Sequence, residues 1–187
     1  MPRPLLFLDV DGPLNPYAAK PSRRPEGYLT HRMAVASESG YDAHGRRRKP
    51  LRVWLNAAHG PRLLALPYDL VWATTWADEA NEWIAPVLGL PELPVVAWPQ
   101  SCQAGQDRLH WKTRALVDWA DGRDFAWVDD ELTDTDAAWI GAHHPGRALP
   151  YRVDPRHGLR DDDFAALTAW GGVRSAGDGA AGSAGGA

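Results

Sequence analysis

Short, uninterrupted apolar runs recur along the chain, separated by segments in which apolar residues return every three or four positions. The runs at 5–8 (LLFL), 69–74 (DLVWAT), 94–98 (PVVAW), 124–128 (DFAWV) and 148–153 (ALPYRV) predict strands. Continuous rather than alternating apolarity marks a strand covered on both faces, as in a parallel sheet. Between the runs, 62–66 (RLLAL, after Gly60 and Pro61), 77–85 (closed by Pro86), 107–121, 132–142 and 161–170 predict helices. In the third of these, Leu109, Thr113, Leu116, Val117 and Ala120 form one apolar stripe. Strands that alternate with helices predict a three-layer, Rossmann-like α/β fold around a central parallel sheet.

Residues 16–58 break this rhythm. They are rich in Pro, Gly, Arg and Ser, with apolar stretches only at 28–36 and 51–55 (LRVWL). Turn chemistry between the two, at Gly40, Asp42 and Gly45, predicts a hairpin: a small flap inserted in the domain, too short to be a large cap. The consecutive Arg46, Arg47, Arg48 and Lys49 read as its solvated tip, with a phosphate contact as the sharper alternative. Residues 171–187 are nearly all Gly, Ala and Ser, so a single domain at 1–170 is expected to end in a flexible tail.

Composition narrows the classes. With 187 residues, 44% hydrophobic and 24% charged, the chain suits one domain able to bury its own core. A net charge of −4 provides no general field for holding nucleic acid, and no segment reaches membrane-spanning length. Asp9 interrupts the N-terminal apolar run before it could serve as a signal peptide, and the single Cys102 suits a reducing compartment, so a cytoplasmic protein is expected. Of 20 basic residues only Lys20, Lys49 and Lys112 are lysines, which draws attention to Lys112 inside a predicted helix.

Chemistry concentrates where strands end. The first strand runs into Asp9 and Asp11, which start on the same side of an extended chain, and Gly12 then permits a sharp turn. Carboxylates this close imply a divalent cation or a shared proton. Taken alone, the stretch also fits an Asp-Gly turn with capping aspartates. Thr74 closes the second strand, Lys112 follows the third, and Asp129 and Asp130 close the fourth. In an open parallel sheet these ends form one rim. A carboxylate nucleophile, a hydroxyl, a lysine and a metal-binding acidic pair in that order match a phosphoryl-transfer site. Individually, Lys112 also fits a solvated helix face, and Asp129, Asp130 and Asp134 fit helix caps. His143 and His144 are adjacent and cannot present one chelating face, so they receive no role.

The segments LFLDVDGPLN, VWATTW, HWKTRAL and WVDDELTD together resemble the four motifs of the haloacid dehalogenase (HAD) superfamily over residues 4–155. With RVWLNAAHG added, the chain is similar to the HAD domains associated with Swiss-Army-knife RNA-repair proteins. The resemblance implies a magnesium-dependent phosphohydrolase. Asp9 would be the nucleophile that becomes an aspartyl-phosphate, and Asp11 the acid and then base. Thr74, or Thr75 one residue on, would bind a phosphoryl oxygen, and Lys112 would stabilise its charge. Mg2+ would be held by Asp9, the Asp11 carbonyl and the acidic pair, with Asp130, four residues before Asp134, preferred over Asp129. A second acid at Asp11 favours phosphatase over dehalogenase. Pro13, where the motif usually carries threonine, would stiffen the loop that moves Asp11. The partner implied is a phosphorylated substrate. A nucleic-acid end is one candidate, with Arg46 to Lys49 on its backbone and Trp54 or Trp76 stacked on its terminal base. The competing class is a HAD-like module that binds metal or a phosphorylated partner without turnover.

Overall fold

The computed structural model describes residues 2–34, 50–98 and 109–173. In chain order the elements are β1 (Leu5–Leu8), β2 (Leu29–Met33), β3 (Leu51–Leu55), α1 (His59–Ala65), β4 (Asp69–Trp72), α2 (Ala85–Leu88), α3 (Thr113–Ala120), β5 (Phe125–Asp129), α4 (Asp134–His143), β6 (Ala148–Arg152) and α5 (Asp161–Gly172). Strands β4, β1, β5 and β6 lie in that order in one sheet and all pair in parallel. β1 is therefore central, and all four of its residues are buried.

Alternation along β1 sends Leu6 and Leu8 to one face, where they pack with Leu63 of α1 and Phe164 and Leu167 of α5. Leu5 and Phe7 point to the other, against Leu116 and Ala120 of α3 and Ile140 of α4. Helices thus cover both faces, the condition that lets parallel strands be apolar throughout. No helix among the described residues is long and apolar enough to cross a membrane.

The inserted hairpin forms as an antiparallel β2–β3 pair, with Leu29 opposite Leu55 and Arg32 opposite Arg52. Its Met33, Val53 and Leu55 are buried in the same core as Leu8, so the flap is seated on the sheet domain. The basic run Arg46 to Lys49 and Cys102 fall outside the described residues, as does 174–187.

Several expected boundaries move. β4 stops at Trp72, so Thr74 and Thr75 lie in the loop beyond it. The helix expected from residue 77 begins instead with π-helical winding over Ala80–Ile84, after Ala77 takes a left-handed φ of 47°. Pro86 does not end that helix. It is the second residue of α2, which follows the π-helical residues directly, and Gly89 terminates α2 at φ 67°. The stretch 94–98 forms no regular strand: Val95 makes one parallel bridge to Trp72. Pro94 has no N–H to continue the ladder, although its carbonyl accepts from Trp72 N at 2.8 Å. α5 continues through Gly171 and Gly172, two residues into the expected tail.

Candidate active site

Register brings the first acid and the last acidic pair together. Leu8 of β1 is the partner of Val128 of β5, so the next residues, Asp9 and Asp129, emerge side by side at the carboxyl edge, tied by Asp9 N donating to Val128 O at 3.1 Å. Lys112 reaches both: its Nζ lies 2.6 Å from Asp9 Oδ2 and 2.8 Å from Asp129 Oδ2. All three are buried, so these are charge-assisted bonds in a poorly solvated setting.

Lys112 directly precedes α3 and is not a solvated lysine on its face. The turn before α3 is fixed by the fully buried Asp136 of α4. Asp136 Oδ1 accepts from His110 N at 2.7 Å and Thr113 Oγ1 at 2.6 Å. Its Oδ2 accepts from Thr133 N at 2.9 Å and Thr133 Oγ1 at 2.6 Å, closing a capping box at the start of α4. Burial alone would raise the Asp136 carboxyl, but these donors hold it below the usual range. Asp134, the expected spacing partner of Asp130, is exposed.

Asp129 is the better immobilised of the acidic pair. Beyond Lys112 it accepts from the Trp127 indole Nε1 at 3.2 Å and from Glu131 N at 3.0 Å. Asp130 instead lines the cleft and accepts from the Tyr17 hydroxyl at 3.0 Å. Gly12 is forced here on two counts. Its φ is +91°, and a Cβ would stand 2.3 Å from Asp130 Oδ1.

Asp11 also faces the cleft, its two oxygens held by Asn15 Nδ2 at 2.7 Å and Trp76 Nε1 at 2.9 Å. Asn15 Oδ1 accepts from Trp54 N of β3 at 3.0 Å, which links the flap to the Asp11 loop. Thr74 is completely buried: its hydroxyl accepts from Trp76 N at 3.4 Å and its carbonyl from Trp98 Nε1 at 2.9 Å. Thr75 is exposed and lines the cleft, so the alternative register places the free hydroxyl there. Pro13 anchors its loop through its carbonyl, which accepts from Leu159 N at 2.8 Å.

Electrostatics follow from one ammonium serving two carboxylates. Burial pushes the Asp9 carboxyl up to about 7, with the charge of Asp129 adding to the rise and Lys112 and the Thr74 hydroxyl opposing it. Burial would lower Lys112, yet Asp9 and Asp129 outweigh it and hold the ammonium above its ordinary value. Asp130 is raised by burial, while the Tyr17 bond works against the rise.

The described residues hold one cluster with metal-binding geometry, Asp9, Asp129 and Asp130, whose carboxylate oxygens lie within 4.8 Å of one another. The Asp11 side chain is not part of it. When all three carboxyls are ionised, the one ammonium leaves two negative charges, which a divalent cation with hard oxygen preference neutralises. All-oxygen donors suit a hard divalent cation, the class to which magnesium belongs.

Sequence reasoning identified the charged members but missed Asn15, Tyr17, Trp127 and Asp136, and expected Trp54 or Trp76 to stack on a base. Both tryptophans are buried, Trp54 beside Ala19 and Tyr28, and Trp76 with its indole N–H committed to Asp11. The close spacing of Asn15 to Asp11 and of Trp127 to Asp129 was visible in the sequence, whereas the long-range Asp136 link was not. No match is found for this chain among protein-family models, curated proteins or solved structures.

Proposed function

We propose that this chain is a magnesium-dependent phosphohydrolase of HAD type, with Asp9 as nucleophile. The observation that carries the reading is the Lys112 ammonium bridging Asp9 and Asp129 at the ends of adjacent strands, with the Asp11 carboxylate on the same cleft. The resemblance of the four segments to the superfamily motifs supports the same assignment.

In this reading an Asp9 carboxylate oxygen attacks phosphorus as the ester P–O bond breaks, and Asp11 gives a proton to the departing oxygen. Asp11, now ionised, takes a proton from water as the water oxygen bonds to phosphorus. The bond between phosphorus and Asp9 breaks, releasing inorganic phosphate and the original carboxylate. Lys112 offsets the charge gathering on the phosphoryl oxygens, and Asn15 and Trp76 keep Asp11 aimed at the cleft. Thr75, on the cleft wall, can donate to a phosphoryl oxygen. Bound by Asp9, Asp129 and Asp130, magnesium would supply charge neutralisation between nucleophile and phosphate.

The test is hydrolysis of an aryl phosphate by wild type and Asp9→Asn, with and without Mg2+. Wild type should release phosphate only with the cation, and Asp9→Asn should release essentially none. Equal turnover by the two proteins would refute the nucleophile. Saturable binding of the ester by wild type with no phosphate release over long incubation would assign a binding module instead.

A further inference from the structure

One side chain beside the candidate site makes bonds that neither the fold nor the phosphoryl-transfer reading uses. His110 stands two residues before Lys112, in the turn that leads into α3. Asp136 already holds the backbone of that turn, through His110 N and the Thr113 hydroxyl. The turn is thus anchored without the imidazole. Yet the His110 side chain is only 6% exposed, its ring packs against Trp127 at 5.4 Å, and both ring nitrogens are engaged.

Each nitrogen has a fixed role. Nδ1 lies 3.2 Å from Lys112 N, and a backbone N–H can only donate, so Nδ1 must carry the lone pair. The proton of the neutral ring then sits on Nε2 and is donated to Glu131 Oε2 at 3.1 Å. The Glu131 carboxylate is mostly exposed, so burial does not force this bond. Glu131 carries the link onward, because its backbone N–H donates to Asp129 Oδ1 at 3.0 Å, while Asp129 Oδ2 accepts from Lys112 Nζ at 2.8 Å. The bonds close a ring, from the Lys112 backbone to His110, Glu131, Asp129 and back to the Lys112 ammonium. Fixing the Lys112 backbone alone would leave its flexible stem free to turn, whereas the ring ties both ends of the residue to one carboxylate.

We propose that His110 is a positioning residue for Lys112: protonated on Nε2 and anchored by Glu131, it holds the ammonium in register with Asp9 and Asp129 for the transferring phosphoryl group. This inference rests on the phosphohydrolase reading above. His110 itself touches no reacting atom. Register matters because a displacement of about 1 Å in a catalytic group can cost on the order of a hundredfold in rate. The effect falls on kcat, since the Lys112 charge is needed most as negative charge gathers on the phosphoryl oxygens.

Hydrolysis of p-nitrophenyl phosphate with Mg2+, together with nitrogen-15 NMR of the Lys112 ammonium and the His110 ring, tests the proposal in wild type, His110→Ala, Glu131→Ala and the double variant. Thermal melting checks folding. The chain has only three lysines, so an exchange-protected ammonium signal that is absent from Lys112→Met is readily assigned. At mildly alkaline pH the wild-type ring should be the Nε2–H tautomer. Each single variant should lose at least tenfold in kcat with KM within threefold of wild type, and its Lys112 signal should lose protection. Because the two side chains act as one link, the double variant should fall no more than threefold below either single one. A smaller loss in Glu131→Ala, a loss carried by KM, losses that multiply in the double variant, or an Nδ1–H ring in wild type overturns the proposal while leaving the phosphohydrolase reading intact. Glu131 is exposed, so Glu131→Ala carries the test should His110→Ala not fold. Should wild type release no phosphate, that reading fails, and the positioning role is judged by NMR. Loss of the protected Lys112 signal in Glu131→Ala then supports it, and an unchanged signal, or none in wild type, refutes it.

Discussion

Asp9 and Asp129, 120 residues apart in sequence, occupy matching positions on neighbouring parallel strands and share the Lys112 ammonium at 2.6 and 2.8 Å. Parallel pairing places them there because the two strands end together at one edge, while the α3 segment brings in the lysine from the covering layer. The charge balance of this triad bears on stability and, in the proposed reading, on chemistry.

Lys112→Met removes the shared counter-charge and leaves two buried carboxylates facing each other. Breaking a buried pair in this way costs about 3–5 kcal/mol, so urea unfolding should show a loss of that order at neutral pH. Added Mg2+ should raise the unfolding midpoint of Lys112→Met more than that of wild type, since the acidic cluster then lacks any internal cation. An unchanged midpoint without metal would contradict the burial of the triad.

Trp76→Phe keeps most of the ring but deletes the N–H that donates to Asp11 at 2.9 Å. If Asp11 supplies the leaving-group proton, its loss of aim should matter most when the leaving group is a strong base. We expect phenyl phosphate hydrolysis to fall by roughly tenfold, a fraction of the 10²–10⁴ that positioned acids contribute, with p-nitrophenyl phosphate much less affected. A uniform decline across leaving groups would mean that Trp76 only supports the fold.

Gly12→Ala should damage the site through the backbone. The residue has φ +91°, and the new methyl would meet Asp130 at 2.3 Å, so either the turn or Asp130 must shift. Loss of more than about 1 kcal/mol in stability is expected together with weaker Mg2+ binding by calorimetry. Retention of full metal affinity would show that Asp130 is not a ligand.

His59 makes a separate prediction about pH. It is buried between Tyr28 and Phe164, with ring centroids 5.4 and 5.5 Å away, and burial pushes its imidazole down to about 4. In the unfolded chain it titrates near 6.5. Between those values the unfolded state binds a proton that the folded state refuses, so stability present above pH 6.5 is lost as pH falls toward 4. The contribution is on the order of 3 kcal/mol, and His144, lowered by burial as well, acts in the same direction. Urea midpoints at pH 7 and pH 4.5 should therefore differ more in wild type than in His59→Gln. Equal differences would exclude a buried neutral imidazole.

The sequence by itself determined the α/β alternation, because a strand covered on both faces is apolar throughout, as LLFL and FAWV are, and helical periodicity separates such runs. It determined the hairpin insertion and the positions of Asp9, Asp11, Lys112, Asp129 and Asp130, since charged residues at the ends of apolar runs stand out locally. Only the tertiary structure decided where each of the near-equivalents lies. Whether Thr74 or Thr75 faces the cleft depends on where β4 leaves the sheet, two residues earlier than its apolar run suggests. Asp129 is fully buried against Lys112 and Trp127 while Asp130 turns to Tyr17 and the cleft, because successive residues leaving a strand point to opposite sides. The grip of Asp136 on the Lys112 turn and the placing of Arg52 against the site arise from packing between segments distant in sequence. No local pattern encodes such contacts: side-chain periodicity reports which face of an element is buried, not which neighbour it is buried against.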